Sequence, residues 1–588
     1  MKHLFISLIS FLFLVILSCL LQLSFLKPIF VADHIIFPYA IHPFDICILY
    51  PKIWFYIKVL YVFLLLFIYS NIWLKIIRLR FKHYKKAITK RSPNITIHTK
   101  HQHNKPQKHF PKDSLRILIG FNEKNTPIYV SGNGLYQNIL ITGTIGTGKT
   151  SSAMYPFTMQ LMNYKHKSDK EKIGMLVLDV KGNYAKQIYE YANLTHRIED
   201  LVIIDLSGKI KYNPLDKPNL NANVLAHRLR TILSLFSKNQ SESYWLDKAE
   251  QALCEAIKLC RLYNNGYVTF TELHKIIFIE DYYKSKISEL RKQFLTSTFN
   301  NEDSFDLIGI IDFFQNEFFS LDSRTLNILK SEISLITGIF VSDFHISNVF
   351  CPNKEEINFK GFRDVISKGK IVVIKMNISE YKNLSKLIAA YLKLDFQNEI
   401  LSQLSNSDSK RQTAFICDEY HEYVTDTDSN FLSICREAKC INILATQSYT
   451  SILSSLNNEY TTKVILQNII NKLWFRTDDI FTIEHAQKQI GKVDHIKHSI
   501  NISENAKQTN YNAIFNKLIS HDSTISESYN QYTQFDYKYD TNYFSQSLKT
   551  FEALAFLSDG NSIQPPQKIK LIPYFSTNPV LDSLYKED

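Results

Sequence analysis

Cysteine pairs at the spacing of zinc sites or small disulfide frameworks are missing from this 588-residue chain. Its eight cysteines include no C-x-x-C pair, and Cys417 lies within an apolar run. Neither a structural zinc site nor a disulfide framework is therefore expected. Reduced thiols in a cytosolic body are the simpler interpretation.

Acidic residues are missing from residues 75–112, although that segment contains twelve Lys and Arg. These twelve account for the whole formal net charge of +12, because the remaining 56 basic residues balance 56 acidic ones. The rest of the chain therefore lacks the basic excess that would by itself predict a nucleic-acid partner. A neutral total is still compatible with a basic pore lining.

Charges are also nearly missing from two long apolar runs, residues 4–26 with none and residues 53–74 with Lys58 alone. Each run is long enough to cross a hydrocarbon core of ~30 Å. Residues 1–91 are therefore predicted to form a transmembrane hairpin and a basic juxtamembrane segment. Eight Lys and Arg follow the second span by Arg91, which places both termini in the cytoplasm by the positive-inside rule.

Two alternatives stay open for this N-terminal region. The first span also fits a cleaved signal peptide ending near Cys19. The basic segment is also suited to contact with anionic membrane lipids or with DNA. Residues 92–112 are polar and contain three prolines, so they are predicted to be a linker.

Glycine is scarce, with 16 in the chain, and this makes a glycine-rich stretch informative. Residues 143–150 fit G-x-x-x-x-G-K-[ST] without a mismatch, between an apolar strand and a predicted helix. Such a loop directs backbone N–H groups at phosphate oxygens, while Lys149 reaches the β- and γ-phosphates and the Thr150 hydroxyl binds Mg²⁺. The predicted nucleotide-binding residues are Gly143, Thr144, Ile145, Gly146, Thr147, Gly148, Lys149, Thr150 and Ser151.

Six further apolar runs end at or beside polar residues, as parallel strands do at their ligand-facing ends. The fold class expected is therefore α/β. The six runs end at Asp179, Asp205, Met376, Glu419, Gln447 and Thr477.

The run "AFICDE" carries the most chemistry. An acidic pair at a strand end suits Mg-nucleotide hydrolysis, with Asp418 on Mg²⁺ and Glu419 orienting or deprotonating the attacking water. Gln447, at another strand end, is placed to sense the γ-phosphate. The structural alternatives are two solvated acids and a buried glutamine satisfied by backbone groups.

Arg436 lies between these two strands and is a candidate arginine finger for a neighbouring subunit. The alternative is a surface arginine paired with Glu437 or Glu422.

A GTPase is the main rival that uses the same loop, because residues 179–182 match D-x-x-G. No N-K-x-D motif stands at a strand end, and residues 213–216 read "NPLD". The guanine-reading motif is thus missing, which favours ATP.

Taken together, these residues resemble the type IV secretion coupling proteins, the VirD4/TraG/TraD family of membrane-anchored conjugation ATPases. The similar segments are the N-terminal hairpin, "GTIGTGKTSS", "LVLDVKGNY", "YNPLD", "FICDEYHEY", "REAKCINILATQS", "WFRTDDIFTIEHAQKQIG" and "PPQKIKLIPYF". The resemblance implies a RecA-like P-loop NTPase core with an all-helical insert. The nucleotide-binding domain then comprises residues 113–218 and 360–588, the latter with a C-terminal tail, and residues 219–359 are the insert.

The resemblance also implies a homo-hexamer in the bacterial inner membrane, with ATP and Mg²⁺ as cofactors. Its partners would be membrane lipids, secretion-channel components, and a relaxase–DNA complex or protein effectors. Lys149, Glu419, Gln447 and Arg436 would be catalytic, and Thr150 and Asp418 would bind Mg²⁺.

Two features depart from the family: the neutral body, and a Ser/Asn/Tyr-rich segment at residues 500–544. An irregular surface or an edge-strand hairpin is favoured there over tyrosines that stack on bases. Two rival functions stay open, a nucleotide-binding receptor or scaffold with little turnover and an FtsK/HerA-like DNA translocase outside secretion. The choice between DNA and protein cargo is left open too.

Overall fold

The computed structural model describes residues 114–179, 181–234, 243–296, 301–376, 383–405, 410–505, 510–512, 517–519 and 524–579, with residues 52 and 56. The chain divides into two compact units, Met1–His109 and Phe110–Asp588. The predicted hairpin, basic segment and linker lie outside the described residues, apart from residues 52 and 56. The account below concerns the second unit.

The described strands are β1 (Arg116–Asn122), β2 (Pro127–Ser131), β3 (Ile139–Thr142), β4 (Gly174–Asp179), β5 (Leu201–Ile204), β6 (Ile371–Lys375), β7 (Thr413–Cys417), β8 (Cys440–Thr446), β9 (Asn471–Phe475), β10 (Lys492–Asn505), β11 (Asn510–Asn512), β12 (Lys517–Ile519), β13 (Thr524–Tyr537), β14 (Glu552–Phe556) and β15 (Gln567–Lys570).

Eleven of the described strands form one sheet in the order β2-β1-β15-β14-β9-β3-β8-β7-β4-β6-β5. From β9 to β5 all neighbours are parallel. These seven parallel strands are the apolar strand before the loop and the six further runs predicted from the sequence. From β9 to β2 all pairs are antiparallel, and these four added strands were not predicted.

Both faces of the parallel sheet are apolar. On β4, Met175 and Val177 belong to one hydrophobic cluster, and Leu176 and Leu178 belong to another. Strands buried on both faces read as continuous apolar runs, which is why the sequence pattern revealed them. The fold is mixed α/β, as predicted.

The described α-helices are α1 (Gly132–Leu135), α2 (Tyr155–Asn163), α3 (Tyr184–Leu194), α4 (Ala222–Ser234), α5 (Ser243–Tyr263), α6 (Phe270–Phe278), α7 (Glu280–Thr296), α8 (Asn301–Asp312), α9 (Ser323–Ser342), α10 (Phe344–Phe350), α11 (Arg363–Lys368), α12 (Asn383–Ser402), α13 (Asp428–Ile434), α14 (Tyr449–Leu456), α15 (Glu459–Asn468) and α16 (Ile480–Ile490). Short π-helical turns are Thr150–Met154, Phe313–Phe318 and Tyr543–Ser547, and 3₁₀ turns are Ile198–Asp200, Lys354–Glu356, Gln403–Ser405 and Tyr420–Glu422.

The helices α4 to α10 form a helical region between β5 and β6. Side chains cap several of them, as where Asp322 accepts the N–H groups of Arg324 and Thr325 at the start of α9. The apolar face of this region shares one hydrophobic cluster with the sheet, because Leu225 and Leu229 of α4 join Leu140 and Leu176 in it.

Among the described residues, no single helix is long and apolar enough to cross a membrane. The pair α9 and α10, bent by 95° at its break, passes by length and composition alone.

The Ser/Asn/Tyr-rich segment contains a long two-stranded ribbon. Strands β10 and β13 pair over their whole lengths, from Lys492 opposite Tyr537 to Asn505 opposite Thr524. They form their own sheet, separate from the main one. The segment thus contains a hairpin, but this hairpin does not extend an edge of the main sheet.

Candidate nucleotide site

The glycine-rich loop connects β3 to the helical stretch that begins at Thr150 and continues into α2. Gly146 and Gly148 have φ angles of 79° and 96°, in the region that favours glycine. At Gly148 a Cβ atom would collide with the ring of Phe551. The second glycine of the motif is therefore required both by its backbone conformation and by the aromatic ring beside it.

Lys149 lies largely buried within the loop that it serves. Its Nζ donates to the carbonyl oxygens of Gly143 and Thr144. Burial lowers the pKa of Lys149, and the negative charges of Glu419 and Asp418 offset this only in part. The ammonium group thus lies at the phosphate-binding face of the loop, where phosphate oxygens would compete for it.

Thr150 and Asp418 meet at the end of β7. The Thr150 hydroxyl donates to Asp418 Oδ2 over 3.0 Å. Burial, followed by the charge of Glu419, raises the pKa of Asp418. A hydroxyl beside a carboxylate is a hard oxygen donor pair that fits Mg²⁺, which usually takes only one or two protein ligands besides water and phosphates. Among the described residues, there is no group of three or more His, Cys, Asp or Glu that could hold a metal ion.

Glu419 follows Asp418 with a φ of 52°, which is unusual for a residue with a side chain. Its Oε1 accepts from Lys181 Nζ at 2.8 Å, and its Oε2 accepts from Gln447 Nε2 at 3.4 Å. His421 Nδ1 lies 3.7 Å from Oε2. The glutamate is thus held between three polar groups beside the loop.

Gln447 connects this glutamate to the loop. Its backbone carbonyl accepts the N–H of Gly143 at 3.3 Å, while its side chain reaches Glu419. The structure therefore brings Lys149, Thr150, Asp418, Glu419 and Gln447 together at the carboxyl ends of β3, β7 and β8.

Arg436 is not part of this group. It is exposed in the turn before β8, and thus at the opposite edge of the sheet from the loop. Within the described part of the chain, Arg436 makes no ion pair, so the alternative pairing with Glu437 or Glu422 is not seen.

Lys181 is a site residue that the sequence did not reveal, because its partner Glu419 lies 238 residues further along the chain. It follows β4, where Asp179 accepts the N–H groups of Lys181, Gly182 and Ala185. Burial lowers the pKa of Lys181, but its hydrogen bond to Glu419 and the nearby carboxylates raise it by more. A lysine two positions after a strand-end aspartate is the signal that could have revealed it.

Buried hydrogen bonds fix the turn that follows Glu419. Asp428 accepts from Lys393 Nζ, Tyr420 OH and Gln397 Nε2 at 2.7–2.9 Å. Lys393 and Asp428 have side chains only 0% and 1% exposed. Lys393 belongs to α12, so this helix fixes the residues that follow Glu419.

Aromatic residues near the C-terminus contact the loop directly. Phe551 donates its N–H to the Thr147 carbonyl at 3.0 Å, and Tyr574 donates to the Ser151 carbonyl at 2.8 Å. Leu571 donates to the Phe551 carbonyl at 2.8 Å, which joins the two segments. These contacts were also missed, since they involve residues about 400 positions from the loop in sequence.

The geometry defines the class of the protein first. A glycine-rich loop after one buried parallel strand, with an Asp-Glu pair ending another strand of the same sheet, is the arrangement of P-loop α/β proteins. One strand, β8, lies between the two.

Comparison with known proteins then narrows the class. Residues 352–526 match the family of the type IV secretion-system coupling protein DNA-binding domain. The chain is similar in fold to the bacterial conjugative coupling protein TrwBdeltaN70, with a TM-score of 0.50 and 12% identity over 77% of this chain and 88% of that one. The predicted resemblance to type IV secretion coupling proteins is thereby confirmed.

Two further solved structures are similar at lower scores. Plasmid coupling protein TrwB in complex with ADP and Mg²⁺ has a TM-score of 0.48 and 13% identity, covering 76% of this chain and 88% of that chain. VirB4 of Thermoanaerobacter pseudethanolicus has a TM-score of 0.42 and 14% identity, covering 79% and 97%. No curated protein sequence matches the chain significantly.

Proposed function

We propose that this chain is a membrane-anchored ATPase that recruits a relaxase–DNA complex or protein substrates and drives them into a type IV secretion channel. The observation that carries the proposal is the placement of Glu419 beside the Thr150–Asp418 pair and the glycine-rich loop. The match of residues 352–526 to a coupling-protein domain supplies the biological setting.

Nucleotide binding is assigned to the loop. Backbone N–H groups from residues 143–151 take the phosphates, and Lys149 turns from its loop carbonyls to the β- and γ-phosphates. Thr150 and Asp418 would hold Mg²⁺, which when bound neutralises charge on the phosphate oxygens.

Hydrolysis is assigned to Glu419. Its carboxylate accepts a proton from the attacking water as the water oxygen bonds to the γ-phosphorus and ADP leaves. In this step Oε1 can keep its hydrogen bond to Lys181 while Oε2 takes the proton. Gln447 is hydrogen-bonded to both Glu419 and the loop. It is therefore placed to couple the presence of the γ-phosphate to a change in the conformation of the sheet.

Assembly and location follow the family resemblance. We propose a homo-hexamer in which Arg436 of one subunit serves the nucleotide of its neighbour, which would fit its exposure and its distance from its own loop. The hairpin at residues 1–91 anchors the ring in the inner membrane, in contact with lipids and channel components, with the ATPase in the cytoplasm. A reporter fused after Arg91 should then be cytoplasmic and one near His42 external, and the reverse result would contradict this orientation.

A Glu419→Gln variant tests the proposed motor. We expect kcat for ATP to fall by about 10²–10⁴-fold, because the general base is lost, while ATP affinity is kept and substrate transfer in cells stops. Glu123→Gln, which changes an exposed glutamate in the turn between β1 and β2, is the matched control and should behave as the unmodified chain.

Two outcomes would favour the rival functions. Undiminished transfer by the Glu419→Gln variant would indicate a receptor or scaffold that needs little turnover. Undiminished transfer in a strain lacking the protein would indicate a DNA translocase outside secretion.

A further inference from the structure

Three aromatic residues lie together against the glycine-rich loop, the half-buried Phe551 and the exposed Tyr574 and Phe575, and are named here the aromatic patch. The ring of Phe575 lies 6.2 Å from that of Phe551 and 5.4 Å from that of Tyr574. Tyr574 is 44% exposed and Phe575 65% exposed. Large apolar rings thus face solvent beside a loop whose chemistry is otherwise polar.

The patch is fixed to the loop rather than loosely adjacent to it. Backbone hydrogen bonds attach Phe551 to Thr147 and Tyr574 to Ser151. The ring of Phe551 occupies the space beside Gly148. Tyr155, in the first turn of α2, packs edge-on against Tyr574 at 5.2 Å. The rings are therefore held in place before any ligand arrives.

The position of the patch identifies the part of a nucleotide that would reach it. Loops of this type cradle the α- and β-phosphates, while their lysine serves the β- and γ-phosphates. Glu419 and Gln447 mark the γ-phosphate end. In the sheet, β7 and β8, which end at these two residues, lie on one side of β3, whereas β9 and β14, which Phe551 precedes, lie on the other side. The nucleoside therefore leaves the loop on the other side, next to Ser151, where Tyr574 is attached.

We propose that the aromatic patch stacks against the base of a purine nucleoside triphosphate, with Phe575 as the main stacking residue. This inference rests on the proposed function only in placing a nucleotide at the loop. Phe575 is 65% exposed although it meets both neighbouring rings, at interplanar angles of 71° and 78°, so much of its ring is accessible to a base.

Stacking also sets the expected selectivity. A π-face recognises the area of a base rather than its hydrogen-bonding edge, so it is tolerant of base identity. ATP and GTP should therefore bind with similar affinity, and the smaller pyrimidine ring of CTP should bind less tightly.

Calorimetric binding to the full-length chain in detergent tests the patch, with ATP, GTP, CTP and inorganic tripolyphosphate as ligands. Phe575→Ala should weaken the binding of ATP and of GTP by about tenfold, within the range that base–aromatic stacking supplies. The affinity for tripolyphosphate should not change. Phe344→Ala, which removes a phenylalanine 77% exposed in α10, is the matched control and should change none of them.

A second variant keeps the test independent of losses in folding. In Phe575→Trp, ATP should bind as tightly as to the unmodified chain and should quench tryptophan emission, whereas tripolyphosphate should not. Unchanged ATP affinity in Phe575→Ala, or equal loss of ATP and tripolyphosphate binding, would overturn the proposal. ATP binding without hydrolysis in the unmodified chain would instead refute the motor while leaving the patch intact.

Discussion

Glu419 is the residue on which the polar contacts of the site converge. Its φ of 52° costs about 1–3 kcal/mol for a residue with a side chain. That conformation ends the strand sharply and turns the carboxylate toward Lys181 and Gln447. Strain of this kind persists where surrounding contacts impose it, here the hydrogen bonds among residues 420–428.

Lys181→Met should lower kcat for ATP by about tenfold with little change in KM. The lysine positions the Glu419 carboxylate through its hydrogen bond to Oε1, so it acts on the chemical step and not on nucleotide binding. Because the Lys181 side chain is 59% exposed, the free energy of unfolding should change by less than about 1 kcal/mol. Steady-state kinetics and denaturant unfolding measure the two effects.

Lys186→Met is the control for that variant, because Lys186 is an exposed lysine of α3 outside the site. It should match the unmodified chain in both measurements. A Lys181→Met variant with full kcat would show that the Lys181–Glu419 contact has no part in hydrolysis.

The pH range over which kcat/KM for ATP is high should be narrower, at both its acidic and its basic end, than an ordinary aspartate and an ordinary lysine would give. The Asp418 pKa is raised above 3.8, so the carboxylate needed for Mg²⁺ is lost, as pH falls, earlier than for an ordinary aspartate. The Lys149 pKa is lowered below 10.5, so its ammonium is lost, as pH rises, earlier than for an ordinary lysine. Measurement of kcat/KM across about pH 4–11, at constant ionic strength, reports the pKa values of both groups in the free protein. An acidic limb at the ordinary aspartate value would contradict the assignment of Asp418.

At the scale of elements, α12 joins the site to the helical region through two buried charges. Lys393 faces the turn after β7 and binds Asp428. Two positions further on, Asp395 accepts from Arg228 of α4 and from Tyr212. One helix therefore contacts both the residues that follow Glu419 and the first helix of the neighbouring region.

Lys393→Met should reduce the free energy of unfolding by about 3–5 kcal/mol, because it leaves the buried Asp428 carboxylate without its countercharge. Denaturant unfolding measures the loss. Lys463→Met is the control: its pair with Glu459 has side chains 49% and 57% exposed, so its effect should stay within about 0.5 kcal/mol.

A double variant separates charge from packing at this position. Lys393→Met combined with Asp428→Asn should be more stable than Lys393→Met alone, because no unpaired charge is then buried and the amide keeps an acceptor oxygen for the donors at this site. Equal or lower stability of the double variant would show that the pair matters through its shape and not its charge.

The parallel half of the sheet was predictable because its strands are apolar on both faces and end at polar residues. Asp418, Glu419 and Gln447 were found by the same pattern. The antiparallel strands β1, β2, β14 and β15 were not predicted. Although β1–β2 and β14–β15 are local pairs, β1 joins the sheet through β15, more than 400 residues away, and no local pattern records that pairing. Lys181 and the aromatic patch were missed for the same reason, since their contacts exist only after the strands have been ordered.

At the scale of the whole molecule, Arg436 bears on the proposed assembly. It precedes β8, whose seven residues span about 20 Å, whereas the loop lies beyond the other end of the neighbouring β3. A role for Arg436 in hydrolysis therefore requires a second copy of the chain.

Mixing inactive chains tests that requirement. Lys149→Ala and Arg436→Ala chains should each lack ATPase activity, and a mixture assembled from both should regain it at about a quarter of the interfaces in a head-to-tail ring. Refolded or co-expressed mixtures assayed for ATP hydrolysis give the readout. An Arg436→Ala chain that is fully active alone would exclude the arginine from the chemistry.

The hydrophobic cluster shared by the sheet and the helical region constrains how this chain can change over time. Leu140 and Leu176 of the sheet pack in the same cluster as Leu225 and Leu229 of α4, so a helix cannot be exchanged without re-forming the face that supports the loop. Substitutions on the outward side of the helices leave this cluster intact. Under the proposed function, new cargo specificity would therefore arise by changes of single residues there, more readily than by replacement of the whole region.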